Sequence, residues 1–215
     1  MINELYDLNH TISSNYLIKY KNLWDIIPNI KNIIIELINK LDKEEYTEIK
    51  KNVWAHKSSI IYDSAYLGEY TIIGKNTEIR HNAYIRFNAI IGDNCVIGNS
   101  TEIKNAIIFD NVELPHFNYV GDSILGYRSH LGAGAILSNV KSDKSIIYIH
   151  DKENINTNMD MLGSFLGDFV EVGSNSVINP GTIIYKNTNI YPLSSVRGVI
   201  PANSIYKNGI IVNKK

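Results

Sequence analysis

With a single cysteine, Cys95, the chemistry of this 215-residue chain has to come from its histidines, carboxylates and cations. The histidines are His10, His56, His81, His116, His130 and His150. Imidazole titrates nearest neutrality, which suits it to proton transfer and to metal ligation. A lone cysteine excludes a disulfide framework and a thiolate zinc cage. His116 and His130 are fourteen residues apart, and no two histidines share the close spacing of an intersubunit zinc site, so no metal is expected. His116 has the most suggestive neighbours. It lies in Leu114-Pro115-His116-Phe117-Asn118-Tyr119-Val120-Gly121-Asp122-Ser123, where polar and aromatic side chains replace turn residues. That setting fits either a base facing a ligand or a distorted corner with a surface histidine.

The elements that would position these groups fall into two regimes. In residues 1–52, Ile30, Ile33, Ile34, Leu37, Ile38 and Leu41 recur at spacings of three and one, the stripe of an amphipathic helix. Asp25 and Pro28 lie close before it, where a cap and a first-turn proline belong, and Lys43-Glu44-Glu45 marks a polar exit. The stripe must be buried against something else. From about residue 60 the period becomes six: Ile61, Leu67, Ile73, Ile79, Ile85, Ile91, Ile97 and Ile103 follow without a slip. The pattern drops a residue near Ile108 and resumes at Leu114 and Val120. It drops again before Leu125, continues at Leu131 and Leu137, and returns from Leu166 to Val196.

A strand period of two would not hold small residues at a fixed phase of six, so a β-sandwich is rejected. The pattern predicts an all-β chain, a left-handed parallel β-helix of hexapeptide repeats over residues 53–207, with three units to a triangular coil. The aliphatic residue points inward. The small residue four places on (Ala65, Thr71, Thr77, Ala83, Ala89, Cys95, Thr101) fills a corner. Gly68, Gly74, Gly92 and Gly98 are expected in turns where φ is positive. The twenty units read predict between six and seven coils. Residues 141–165 leave the repeat, as a disordered decoration or a functional arm, and 208–215 form a tail. The flat outer faces favour a homotrimer with sites in the clefts between subunits.

Bulk properties narrow the partners. Lys and Arg number 21 against 22 Asp and Glu, and no basic run tracks a phosphate backbone, so no nucleic acid is expected. The start, Met1–Ile12, lacks a secretory signal, and polar residues interrupt the most apolar stretch. No membrane association is expected, and the expected location is the cytoplasm.

Function enters through a resemblance. Pro115 to Asp122, then Gly132-Ala133-Gly134 and Ser138-Asn139, preceded by Tyr84-Ile85-Arg86 and Gly98 to Lys104, resemble a known domain. It is the acetyltransferase half of bifunctional N-acetylglucosamine-1-phosphate uridylyltransferase/glucosamine-1-phosphate acetyltransferases. The β-helix of related sugar-1-phosphate nucleotidylyltransferases is closer still, over about residues 53–207. The resemblance implies a CoA-dependent N-acetyltransferase for an amino-sugar 1-phosphate, with acetyl-CoA as co-substrate. His116 would be the general base that takes the amine proton. Arg86 and Lys104 would hold the phosphate. Tyr119 and Asn139 would orient the sugar, and Ala133 and Ser174 would lie along the CoA, their amides on the thioester oxygen. The chain departs from the bifunctional members where Val140 replaces an aromatic, where His130 replaces an asparagine, and in the loop after Asn139. No nucleotide-binding loop is present to support nucleotidyl transfer. Two alternatives remain: a non-catalytic trimeric module that binds a sugar phosphate or nucleotide sugar or docks on a separate nucleotidyltransferase, and an acyltransferase with another acceptor.

Overall fold

A computed structural model describes residues 1–214. Three parallel sheets form the sides of a triangular prism, the left-handed β-helix that the hexapeptide period predicts. The first face runs from strand Val53–His56 to Val199–Ile200, the second from Ile60–Ile61 to Ser204–Lys207, and the third from Tyr66–Leu67 to Ser195–Val196. They hold eight, eight and seven parallel strands, twenty-three in all, or nearly eight coils. The sequence count of six to seven falls short by three units, centred on Ala55, Ile200 and Tyr206. There an alanine, a shortened spacing and a tyrosine mask the aliphatic mark. Antiparallel hairpins close both ends: Tyr46–Lys50 lies on Val53–His56, and Ile210–Asn213 lies on Ser204–Lys207. The region read as helical to residue 52 therefore ends in a strand, and the tail is a strand. Each hairpin pairs the edge strand of one face, the first face at the N-terminal end and the second at the C-terminal end, where backbone groups would otherwise be unpaired.

Inside the prism the aliphatic residues stack in register, as Ile73 does on Ile91 and Ile103 on Val120. Most are fully buried, each contributing roughly 1.5–3 kcal/mol of transfer free energy. The small corner residues satisfy carbonyls of the next coil: Thr77 Oγ1 donates to Gly92 O at 2.6 Å and Thr101 Oγ1 to Leu114 O at 3.0 Å. The glycine expectation needs correction. The left-handed corner positions belong mainly to asparagines, among them Asn76, Asn82, Asn88, Asn94 and Asn111, whereas Gly68, Gly74, Gly92 and Gly98 do not have positive φ. Those glycines answer a steric demand, since a Cβ at Gly98 would stand 1.6 Å from Pro115 O in the next coil.

The N-terminal segment covers the first face. The outward residues there are also apolar (Ile72, Ile90, Ile107, Ile124, Phe165, Ile183), and they are buried beneath Leu5, Trp24, Ile30, Ile34 and their neighbours. The helix itself is Ile30–Ile38, with Ile30, Ile33, Ile34 and Leu37 buried. Pro28 sits in a preceding 3-10 turn, Trp24–Asn29, and no side chain caps the helix, so Asp25 and Pro28 do not serve as its cap and first-turn proline. Asp168 pins the segment, accepting hydrogen bonds from the Asp7 and Tyr127 amides while pairing with Lys186. The arm is ordered. A small hairpin, Tyr148–His150 with Asn154–Asn156, carries Ile147 and Ile149 into the same apolar layer. No helix among the described residues is long and apolar enough to cross a membrane.

Candidate functional site

Each coil turns three corners, and the candidate residues gather at the two that bound the third face. The corner between second and third faces carries His116, Ala133 and Ser174 in successive coils. His116 O accepts from Gly134 N at 3.1 Å, and Ala133 O accepts from Asn175 N at 2.9 Å. Both links are the coil-to-coil spacing expressed at the corner. His116 ends the strand Glu113–His116 and is exposed, and the left-handed Phe117 beside it turns the chain onto the third face. Among the described residues no hydrogen bond to the His116 imidazole or to the Ala133 and Ser174 amides is present.

The corner between third and first faces carries Arg86, Lys104, Asp122 and Asn139. Lys104 Nζ is paired with Asp122 Oδ2 at 2.9 Å, both side chains being nearly buried, and Met161 of the arm lies against the ammonium. Asp122 also accepts from Asn139 Nδ2 at 2.6 Å and, through Oδ1, from Asn105 Nδ2 at 2.8 Å. With its amide nitrogen so held, Asn139 turns Oδ1 to the Tyr119 hydroxyl, which donates at 3.3 Å. Tyr119 stands on the third face in register with Glu102, and Glu102 pairs with Arg86 at 3.1 Å. Burial, then the nearby Asp122 and Glu102 carboxylates, push the Tyr119 hydroxyl above its ordinary pKa, so it stays a donor at neutral pH. Arg86 is thus paired with Glu102, the strand neighbour of Tyr119, and Tyr119 and Asn139 share one network with Asp122. Lys104 belongs to it from beneath, its charge answered by Asp122. His116 and Tyr119 are three residues apart in sequence, the left-handed Phe117 turning the chain between them.

Two cavities open on the second face. One, of about 320 Å³, is bordered by His130, Gly132, Glu171, Gly173, Ser174 and Pro192 and reaches the Ser174 corner. Gly132 and Gly173 in its lining answer the close approach of the next coil, since a Cβ at Gly132 would meet Ser174 N at 2.6 Å and one at Gly173 would meet Pro192 N at 2.4 Å. The other, of about 430 Å³, is lined by Asn94, Asn111, Glu113, Arg128, His130 and Glu171. His130 and Glu171 stand in the wall common to both, His130 Nδ1 lying 2.9 Å from Glu171 Oε2. Asp122, Glu102, Met161 and Glu171 went unread in the sequence. Asp122 lies eighteen residues after Lys104 and directly follows Gly121, the register partner of Lys104 in the next coil. Glu171 lies forty-one residues from His130, because the arm intervenes. No cluster among the described residues has the composition and geometry to hold a metal.

Comparison with known proteins follows the same lines. Residues 50–147 match a family model described as the EIF2B subunit epsilon LbH domain, LbH denoting the left-handed β-helix. The chain is 31% identical over 107 residues to a bifunctional sugar-1-phosphate nucleotidylyltransferase/acetyltransferase of Sulfurisphaera tokodaii, covering 49% of this chain and 27% of that protein. It is 32% identical over 116 residues to the bifunctional protein GlmU of Methanococcus maripaludis, covering 53% and 28%. The aligned part therefore spans little more than a quarter of the curated relatives. Among solved structures, PerB of Caulobacter crescentus in complex with CoA and GDP-perosamine is 19% identical, with 74% of this chain and 56% of that one covered and a TM-score of 0.35. The chain is a hexapeptide-repeat β-helix protein whose sequence is similar to the bifunctional sugar-1-phosphate enzymes.

Proposed function

We propose that this chain is an acetyl-CoA-dependent N-acetyltransferase for an amino-sugar 1-phosphate, working as a cytoplasmic homotrimer. The observation that carries the reading is the position of His116. It stands on the corner between the second face, where the groove reaches Ser174, and the third face, which carries Tyr119 and leads to Arg86 and Asn139 at its far corner. Acetyl-CoA lies in the groove, with the free amides of Ala133 and Ser174 directed at the thioester oxygen, where negative charge develops. The sugar lies over the third face, its hydroxyls on Tyr119 and Asn139. His116 takes the proton as the amine attacks. Arg86 is the cation most available to the phosphate, and Lys104 holds the network through Asp122, reaching the ligand once Met161 moves. A second subunit would close the open side of the face.

The names of the similar proteins support acetyl transfer and sugar 1-phosphates as the chemistry. Both site cations already have carboxylate partners, so a phosphate must compete with Glu102 and Asp122. The test is acetyl-CoA consumption with a panel of amino sugars and their 1-phosphates, for wild type and His116→Ala. Turnover that falls about 10²-fold or more in the variant is the expected result. Absence of turnover with every acceptor removes the enzyme reading, and turnover untouched by the substitution removes His116 as base.

A further inference from the structure

Acyl transfer from a thioester has two proton problems, and His116 answers only one. The attacking amine must lose a proton, and the departing thiolate must gain one or be stabilised as an anion. The second need falls on the opposite side of the reacting carbon from the acceptor, toward the groove on the second face. A titratable dyad stands there. His130 and Glu171 occupy the same outward position in adjacent coils, aligned strand to strand, and Glu171 Oε2 holds His130 Nδ1 at 2.9 Å. This is the arrangement of an imidazole with its orienting carboxylate, and among the described residues Nε2 makes no hydrogen bond. Gly132 and Gly173 stand two residues beyond them in the lining of the groove. His116, in contrast, has no orienting partner.

We propose that the His130–Glu171 dyad is the general acid of the transfer, donating the Nε2 proton to the sulfur that leaves in the groove. The inference rests on the acyl-transfer reading above. As the amine nitrogen bonds to the acyl carbon, its proton passes to His116. As the carbon–sulfur bond breaks, its electron pair goes to sulfur, which takes the proton from His130. Solvent returns a proton to His130 and removes one from His116, so the cycle balances. The groups facing His130 suit the role. Glu171 pairs with it, Glu113 is its register partner in the preceding coil, and Arg128 lines the neighbouring cavity. The hydrogen bond to Glu171 raises the imidazole above its ordinary pKa against the opposing effect of burial, with Glu113 adding a smaller push. His116 and His130 thus divide the work of base and acid between two environments.

The experiment compares two acyl donors in wild type, His130→Asn and Glu171→Gln. Acetyl-CoA leaves as an alkyl thiolate that needs a proton; acetyl thiophenol leaves as a stable aryl thiolate that does not. The expected result is a loss of about 10²-fold in kcat with acetyl-CoA for His130→Asn, a smaller loss for Glu171→Gln, and little change with acetyl thiophenol. The alkaline limb of the kcat profile should also vanish in His130→Asn. Equal losses with both donors at unchanged thermal midpoint, or no loss with either, would overturn the proposal while leaving acyl transfer standing. A wild type that transfers no acyl group to any amine would overturn both.

Discussion

Asp122→Ala probes the network beneath the third face more sharply than any change at its surface. In the wild type the Asp122 carboxylate answers the Lys104 ammonium and accepts from the side chains of Asn105 and Asn139. The side chains of the pair are only 11% and 6% exposed, so water screens neither ion well. Removing one member of a buried pair strands the other, at a cost of about 3–5 kcal/mol. The two carboxamide bonds add roughly 1 kcal/mol each where their donors find no water. Not all of this adds, because Met161 and the arm can shift to admit solvent to Lys104, and a loss of about 4 kcal/mol is the expectation. The double variant Lys104→Met, Asp122→Asn removes both charges, keeps similar volume and leaves an acceptor for one asparagine. It should lie within about 1 kcal/mol of wild type. Urea denaturation of the three proteins measures the difference directly. An Asp122→Ala cost under about 1 kcal/mol, or a double variant as unstable as the single one, would refute the claim that a buried ion pair organises this corner.

Other predictions follow from single features. Leu193 is 80% exposed with φ of 59°, a conformation that suits glycine; Leu193→Gly should stabilise by about 0.5–1 kcal/mol and raise the thermal midpoint. Burial, with Asp93 nearby, pushes the Asp110 carboxyl up to about 6. A raised carboxyl favours the folded state fully below its ordinary range and loses that contribution as pH rises through about 6. Wild type should therefore lose on the order of 1 kcal/mol between pH 5 and 7.5 that Asp110→Asn retains, and identical pH profiles would contradict this. Cys95 is buried, with its thiol pushed up to about 12. It should react with a thiol reagent only at the rate of unfolding, and fast stoichiometric labelling of the native protein would show the corner to be open.

The prism was legible because its interior tolerates one kind of residue at each phase of six. The covered first face was equally written in the chain, as a second apolar residue beside the inward one at Ile72, Ile90, Ile107, Ile124, Phe165 and Ile183. That pattern recurs once per coil and becomes visible only when units are folded in threes. With it, the destination of the N-terminal stripe follows from apolar complementarity. The glycines misled because a glycine forced by a close carbonyl looks, in sequence, like one chosen for its φ. The candidate side chains were found by resemblance, but their charge states were not. The carboxylates opposite Lys104 and Arg86 come from neighbouring coils, and a linear reading does not place Asp122 over Lys104 or Glu171 over His130. The arm was the least legible part. Its residues follow no repeat, and its order comes from Ile147, Ile149 and Met161 meeting surfaces made elsewhere in the chain.

The most direct test of the central claim is transfer of labelled acetyl from acetyl-CoA to the amine of an amino-sugar 1-phosphate, read as labelled product, for wild type beside His116→Asn at matched thermal stability. The account predicts labelled amide from wild type and about 10²-fold or greater loss in the variant. Unlabelled acceptor in every reaction, or equal labelling by both proteins, would contradict it.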